Sequence, residues 1–410
     1  MSKDIDRYAE RMDIRKFGQI MPRRMGHIMP APETVPKLDY AANLTAWALH
    51  PECQYLKVNE IIEREAGAKT YVLGPDNEKG TEKLAYFRPG QFLSFYLEIG
   101  HSILTRPYSL CSSPLESTKG RYEITIKPSY DGFAGNWICR NWSVGTSVKA
   151  SCPMGEFFYE ELRDAGNVVA VAGGSGITPF ISMARAIADG DEQFNLTILY
   201  GNKDKDSILF KAELDELCSL CSRVKVVYVL SDQSEDGFES WFITEKLIRK
   251  YAPENDEYSL FICGNAAMNK FLCKEVPKLG IPRKYIRKES YGATSPAFEE
   301  DWSWELADKT FKLTVLTKDT ESTIPCSSME TILVAMERAG IVAPSRCRSG
   351  ECGMCRSHMV SGSIYVPGRL EHRKKGDIEY GYIHPCCSFP ISDVCIELEC
   401  ERGIKSDINK

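Results

Sequence analysis

The sequence predicts a multidomain chain: an antiparallel β-barrel, then a doubly wound α/β domain, then a small domain around a cysteine-rich loop. Three observations carry this. Short alternating runs separated by turn residues recur from Tyr55 to about Leu162, the pattern of a small antiparallel barrel. From Asn167 onward, continuous apolar runs alternate with helical patterns, which makes a parallel sheet covered on both faces. Toward the C-terminus, thiols crowd into Cys347, Cys352 and Cys355, with Cys386 further on.

These changes of pattern set the expected boundaries: an N-terminal extension over 1–50, the barrel over 51–163, the α/β domain over 164–293, a linker over 294–305 and the cysteine-rich domain over 306–410. Hydrophobic residues at 43% and charged residues at 26% mark a globular chain rather than a disordered one. No apolar run approaches the roughly 20 residues that span a bilayer. The opening MSKDIDRYAERMDIRKF has no apolar core of a secretory signal, so a cytoplasmic location is expected. A formal net charge of −6 argues against nucleic acid as a partner. Sixteen cysteines in a chain of this kind point first to metal.

Taken in order, residues 1–50 show no strand pattern. The pairs at Met21-Pro22 and Met29-Pro30 interrupt helices, Asp39 to Leu49 forms one short helix ended by Pro51, and the stretch is expected on the surface without chemistry. Barrel strands are expected at Tyr55–Ile62, Gln91–Leu97, Tyr122–Lys127 and Ser147–Ala150, with turns at Pro89-Gly90 and Asp131-Gly132. Buried strands follow at Val168–Ala172, Leu196–Tyr200, Val224–Val229 and Leu260–Cys263, with helices at Pro179–Ala188, Leu209–Leu220 and Ala266–Leu279 between or after them. Beyond the linker-like ATSPAFEE come strands at Phe311–Leu316 and Ser322–Pro325 and a helix from about Glu330 to Ala339.

The spacing C-x₄-C-x₂-C with a distant fourth cysteine is that of a plant-type [2Fe–2S] site. Two irons bridged by sulfide need four thiolates, and a tight loop supplies three: Cys347, Cys352 and Cys355. Gly350 and Gly353 let the backbone wrap closely and aim N–H groups at sulfur. The alternative, a zinc site, more usually takes paired C-x₂-C knuckles. Residues 311–401 resemble plant-type ferredoxins, in which the fourth ligand lies four residues before a proline. That resemblance selects Cys386, ahead of Pro390, over its neighbour Cys387.

Further motifs sit in the first two domains. The string RPYS (Arg106, Pro107, Tyr108, Ser109) supplies an aromatic that can stack on a flat ring, a hydroxyl donor and a phosphate-pairing guanidinium. VAGGSGITP, with Gly173, Gly174, Gly176, Thr178 and Pro179, follows a buried strand and opens a helix, where backbone and helix dipole favour a pyrophosphate. Residues 55–291 resemble the ferredoxin–NADP reductase family, in which RPYS is the flavin signature. GFAGNW (Gly132, Gly135, Asn136, Trp137) matches the family's loop over the flavin phosphate, with Gly135 where a Ser or Thr is common, and Lys127 precedes it. PMGEF (Pro153–Phe157) matches the turn that closes the barrel. FICGNAAM resembles the family's Cys-Gly-Pro motif, placing Cys263, Gly264 and Met268 by the nicotinamide; Asn265 stands for the proline and is expected to loosen that turn. Glu289 and Tyr291 match the family's acid-x-aromatic close.

The resemblance implies a flavin-binding β-barrel domain, an α/β nucleotide-binding domain and a β-grasp [2Fe–2S] ferredoxin domain, the order found in reductases of phthalate, vanillate and carnitine oxygenases and of the hybrid-cluster protein. It implies an NAD(P)H-dependent oxidoreductase in which Ser109, Cys263 and Glu289 act at the hydride step and single electrons leave through the cluster to a partner protein. FAD is favoured over FMN by GFAGNW and PMGEF, although FMN reductases share the domain order. NADH is favoured over NADPH because Asp204 and Asp206 follow the second α/β strand, although two lysines accompany them. Two other readings stay open: a self-sufficient oxidoreductase on a small acceptor, and a redox activator or sensor of a target protein. Residues 346–375 hold seven basic side chains (Arg346, Arg348, Arg356, Arg369, Arg373, Lys374, Lys375) against two acids, Glu351 and Glu371, which suggests a docking face for an acidic partner. Cys218 and Cys221 read as packed thiols, Cys395 and Cys400 as part of the last strand, and no histidine pair has ligand spacing.

Overall fold

The computed structural model describes residues 22–26, 40–130, 132–254, 256–289 and 295–398. The chain divides into two units, Met1–Trp47 and Ala48–Lys410. Residues 22–26 are helical, with Pro22 at the start of the described turn, where a missing N–H is tolerated. A second helix runs Ala41–Leu49. The expectation of a surface location for residues 1–50 falls mostly outside the described residues.

The second unit opens with six antiparallel strands: β1 Cys53–Glu63, β2 Lys69–Pro75, β3 Phe92–Ile99, β4 Ser102–Ser109, β5 Tyr122–Ile126 and β6 Ser147–Ser151. They lie in the order β4-β3-β6-β1-β2-β5, and a bridge between Leu110 and Ile124 joins the two outer strands into a barrel. The core is built from inward residues such as Leu56, Leu93, Phe95 and Ile124. Trp142, just past the helix Phe133–Asn141, stands edge-on to both Tyr71 and Phe95 at 5.4 Å. The sequence pattern had not marked β2 or β4. Pro107 argues against a central strand, and β4 tolerates it as an outer one.

The next six strands are all parallel: β7 Asn167–Gly173, β8 Asn195–Asn202, β9 Val224–Leu230, β10 Glu239–Ser240, β11 Ser259–Cys263 and β12 Ile286–Glu289. Their order, β10-β9-β8-β7-β11-β12, reverses direction of growth between β7 and β11. In such sheets ligands bind at the C-terminal ends of the strands flanking that reversal. The expected strands and helices are present, with helices at Thr178–Asp189, Lys211–Leu220 and Ala266–Glu275. β10, β12 and the helix Glu245–Tyr251 are too short to show as periodic runs.

The last sheet comprises β13 Thr310–Leu316, β14 Glu321–Ser327, β15 Ser357–Ser361, β17 Tyr382–Ile383 and β19 Val394–Leu398, in the order β14-β13-β19-β15-β17. β13 and β19 run parallel and the other pairs antiparallel. Strands β16 Ile364–Tyr365 and β18 Phe389–Pro390 form a separate pair. The helix Ile332–Arg338 packs Leu333 and Met336 on Leu313, Val315 and Ile396. Thr331 caps it by accepting from the Val334 N–H at 3.3 Å. This is the mixed sheet with a packed helix of a β-grasp. Residues 295–305, expected as linker, are tied to this sheet: Trp302 is buried beside Tyr365, the Tyr365 hydroxyl donates to Asp301 at 2.5 Å, and Arg369 pairs with Glu299 at 2.8 Å.

The close approach of β7 and β11 yields a stability test. A Cβ on Gly176 would overlap the Cys263 carbonyl group. Gly176→Ala is expected to cost about 1–3 kcal/mol, as overpacking of a tight interior does, read as a lowered midpoint in thermal or urea unfolding. An unchanged midpoint would refute that close contact.

Candidate functional site

The residues singled out above fall on three neighbouring surfaces. On the parallel sheet, β7 ends at Gly173 and runs through a tight turn, Gly174–Ile177, into the helix Thr178–Asp189 with Pro179 in its first turn. Gly174 has φ +53, and the Tyr200 hydroxyl donates to its carbonyl at 2.9 Å. The Thr178 hydroxyl donates to the Ser175 carbonyl at 3.0 Å. Across the reversal point, Met268 lies against both Gly173 and Gly264, where any Cβ would collide with its Sδ or Cε. Asn265 does not loosen the turn. It caps the helix Ala266–Glu275, its Oδ1 accepting from the Met268 N–H at 2.9 Å, so the amide does the ordering expected of proline.

Cys263 is fully buried and pairs in register with Glu289 of β12. One Glu289 oxygen, Oε2, is buried without a hydrogen-bond partner. Burial, and then the charges of Glu351 and Cys347, push this carboxyl well above the usual carboxylate range. A glycine cradle and an unpartnered buried carboxyl at the strand ends fit a nucleotide with a reacting ring beside Cys263. Tyr291 lies outside the described residues.

On the barrel, Arg106, Pro107, Tyr108 and Ser109 form the second half of β4. Ser109 is buried, and Tyr108 sits tilted against Phe95 at 6.0 Å. Gly132 occupies the N-cap of the helix Phe133–Asn141, which carries Gly135 and Trp137. A Cβ on Gly135 would stand 3.6 Å from the Tyr108 hydroxyl, so a small residue there lets the helix N-terminus approach the RPYS strand. Asn136 fastens the loop: its Nδ2 donates to the Ser129 carbonyl at 2.7 Å and its Oδ1 accepts from the Ser129 N–H at 3.2 Å. Lys127 follows β5 directly. Met154 of PMGEF bridges to Phe92, and Gln91 donates to the Gly155 carbonyl at 3.2 Å. The strand, the helix N-terminus and the small residues between them fit a flavin and its phosphate. Arg106, expected to face phosphate, has Nη1 2.7 Å from the Thr105 carbonyl and 3.5 Å from Glu337. Burial and then Arg348 bring its pKa down to about 10.

In the third domain, the thiols of Cys347, Cys352, Cys355 and Cys386 are brought together. Hydrogen bonding from Cys352 and Cys386 holds Cys347 below its usual value, and Cys386 does the same for Cys355, while Cys352 and Cys386 rise in consequence. Backbone N–H groups of Ser349 and Cys352 point at the Cys347 sulfur at 3.5 and 3.4 Å. Gly350 and Gly353 take φ +85 and +69, which this wrapping requires. Cys387 touches the group from behind, hydrogen-bonded to the Cys386 thiol. Its thiol donates to the His384 carbonyl at 3.4 Å, behind Gly350, whose carbonyl accepts from His384 Nδ1 at 2.7 Å. Among the described residues no three His, Cys, Asp or Glu side chains converge on one ion, and a two-iron cluster divides its four thiolates between separate metals. Cys352 is exposed while the other three are buried.

The barrel meets this loop directly. The Thr105 and Ser345 hydroxyls share a buried 2.7 Å hydrogen bond, and Ser94 Oγ donates to the Arg346 carbonyl at 3.0 Å. These contacts join residues more than two hundred positions apart, and no local signal announces them. The basic stretch is largely neutralised by partners that a count over 346–375 misses: Arg348 pairs with Glu337, Arg356 with Asp377 and Arg369 with Glu299, while Arg373 pairs with Glu371. Lys374 and Lys375 are exposed. Cys218 and Cys221 pack against the α/β core and Cys395 lies in β19; Cys400 lies outside the described residues.

Comparison with known proteins gives the same three parts in the same order. Residues 56–159 match the family model for an oxidoreductase FAD-binding domain, residues 170–274 that for an oxidoreductase NAD-binding domain, and residues 316–391 that for a 2Fe-2S iron-sulfur cluster binding domain. The chain is 27% identical over 330 residues to the glycine betaine monooxygenase reductase subunit of Chromohalobacter salexigens, covering 77% of this chain and 88% of that one. It is 29% identical over 347 residues to the ferredoxin reductase component of the 3-ketosteroid-9-alpha-monooxygenase of Mycobacterium tuberculosis, covering 82% and 93%. In fold it is similar to phthalate dioxygenase reductase, with a TM-score of 0.60 at 24% identity, covering 84% of this chain and 98% of that one. With FAD-binding, NAD-binding and [2Fe–2S] domains in one chain, this protein is an oxidoreductase with the domain set and order of a flavin-dependent reductase component that carries its own C-terminal ferredoxin domain.

Proposed function

We propose that this chain is the NADH-dependent reductase component of a larger system, delivering electrons one at a time to a partner protein, an oxygenase or another redox enzyme. The observation that carries the reading is the direct seam between the barrel and the cluster loop, through Thr105–Ser345 from the RPYS strand β4 and Ser94–Arg346 from its neighbour β3. The names of the relatives, all reductase parts of monooxygenase or demethylase systems, support the kind of acceptor. The division into 51–163, 164–293 and 306–410 and a cytoplasmic location belong to the same proposal.

In this reading Arg106, Tyr108, Ser109, Lys127 and the helix N-terminus at Gly132–Trp137 hold FAD. Gly173 to Pro179, with Cys263, Gly264 and Met268, hold the nicotinamide nucleotide, and Cys347, Cys352, Cys355 and Cys386 hold the cluster. When bound, these groups supply hydride transfer and its conversion to single-electron transfer. The chain supplies placement. Buried Cys263 keeps water from the end of β11, and Glu289, its carboxyl pushed well above the usual range by burial, lies in register beside it. Anaerobic addition of NADH should bleach both flavin and cluster absorbance, and rapid turnover should need either a dye or a protein acceptor. A cluster that stays oxidised would refute the reading.

Three measurements test its parts. Cys386→Ser should abolish the cluster's visible absorbance while Cys387→Ser leaves most of it, and NADH-to-dye turnover should survive in both; the reverse pattern overturns the ligand choice. The loop after β8 favours NADH, because Asp204 accepts from the Ser207 N–H at 2.9 Å and Lys205 is drawn to Glu235 at 3.1 Å, away from a ribose phosphate. The ratio kcat/KM should be higher with NADH than with NADPH, and the opposite ranking would count against this assignment. For the partner, the two exposed lysines beside the cluster domain's exposed Ile378 and Tyr380 form the docking face for an acidic surface. Lys374→Gln with Lys375→Gln should slow delivery to the partner several-fold and flatten its salt dependence below about 0.15 M, with dye turnover unchanged. Wild-type delivery at every salt concentration would remove these lysines from the interface.

A further inference from the structure

Glu337 is not among the residues assigned to flavin, nicotinamide or cluster, yet it touches two of those sites. It sits in the last turn of the helix Ile332–Arg338, with its side chain only 6% exposed. One carboxylate receives two guanidinium groups. Arg348 approaches as a fork, Nη1 at 2.5 Å and Nη2 at 3.1 Å, and Arg106 Nη1 lies 3.5 Å away. Arg348 follows Cys347 directly and takes φ +61, a conformation that L side chains adopt only when something holds them there. Arg106 lies on the same strand as Tyr108 and Ser109.

A carboxylate buried for the ferredoxin domain's own stability would need one cation. The second comes from another domain, and a buried pair is costly to desolvate unless its geometry serves a purpose. The surrounding contacts run between the same two segments. His101 Nε2 donates to the Arg338 carbonyl at 3.0 Å, next to Glu337, and Thr105 bonds Ser345, two residues before Cys347.

We propose that Glu337 is a positioning residue: it registers the RPYS strand against the cluster loop through Arg106 and Arg348, and so sets how fast electrons pass between the two domains. This rests on the reading that electrons travel from the flavin site to the cluster. Cluster reduction by NADH in the wild-type protein is therefore the control, and its absence would overturn that reading rather than the role of Glu337 within it.

The test uses Glu337→Gln, which keeps the shape and removes the charge, and Glu337→Asp, which keeps the charge on a shorter arm. Stopped-flow reduction of the cluster by NADH should slow about tenfold or more in Glu337→Gln, the scale on which roughly 1 Å of misplacement acts, with partial recovery in Glu337→Asp. NADH-to-dye turnover should stay within about twofold of wild type, since it needs only the first two domains. Amide hydrogen exchange should rise on both sides of the seam, over 102–109 as well as 345–350. If Glu337→Gln fails to assemble a cluster because Arg348 is left unpaired, the double variant Glu337→Gln, Arg348→Gln removes that charge and is measured in the same way, with the same slowing expected. A cluster-reduction rate within twofold of wild type, or faster exchange confined to 330–356, overturns the proposal.

Discussion

Polar groups buried at the seam between barrel and cluster domain must find partners across it, because each side would otherwise leave them unsatisfied. Thr105 and Ser345 are both buried and bond each other, and Ser94 reaches the Arg346 carbonyl. A buried hydroxyl without a partner costs about 1–3 kcal/mol, so sliding the domains by even one residue would be penalised at several points at once. Apolar packing alone tolerates small shifts; directional bonds do not. The relative position of the RPYS strand and the cysteine loop is thus written in hydrogen bonds and ion pairs.

A comparable constraint fixes the barrel to the α/β domain. Arg185 of the helix Thr178–Asp189 reaches Glu123 of β5 at 2.7 Å and Glu213 at 3.1 Å, and Arg64 of the barrel shares Glu213 at 2.7 Å. The helix anchored this way is the one that begins at the glycine turn. Its N-terminus, which carries the glycine turn, is therefore held from the far side by the barrel. The reversal point between β7 and β11 supplies the crevice, and this network sets where the barrel's RPYS strand stands relative to it.

The sequence made the architecture legible where residues act locally. Buried strands, the glycine turn and the C-x₄-C-x₂-C loop each carry their own periodicity or spacing, and each is present as read. Signals failed where a position in the tertiary fold decides. Pro107 hides β4, because only an outer strand accepts it. Asn265 looked like a weakened proline, whereas its side chain can cap a helix that the string alone does not require to start there. The basic count over 346–375 overstated the charge, since Glu299, Glu337 and Asp377 neutralise it from outside that window. Glu337 itself had no signal, being one acid on an amphipathic helix until two other segments fold onto it.

That neutralisation bears on how the cluster side of the molecule would meet an acceptor. The barrel covers one side of the cysteine loop, and Cys347, Cys355 and Cys386 are buried, leaving Cys352 as the exposed thiol. An electron carrier must release its partner as readily as it binds, and complexes of this class are small and short-lived. A strongly basic loop would bind an acidic partner tightly and slow its departure. With four arginines tied up in internal pairs, attraction falls to a few exposed cations, enough to orient an encounter but too few to prolong it. If the proposed docking face is right, the same ion pairs that stiffen the loop around the thiols would also weaken its hold on a partner, so rigidity at the cluster and rapid exchange at the surface would come from one set of contacts.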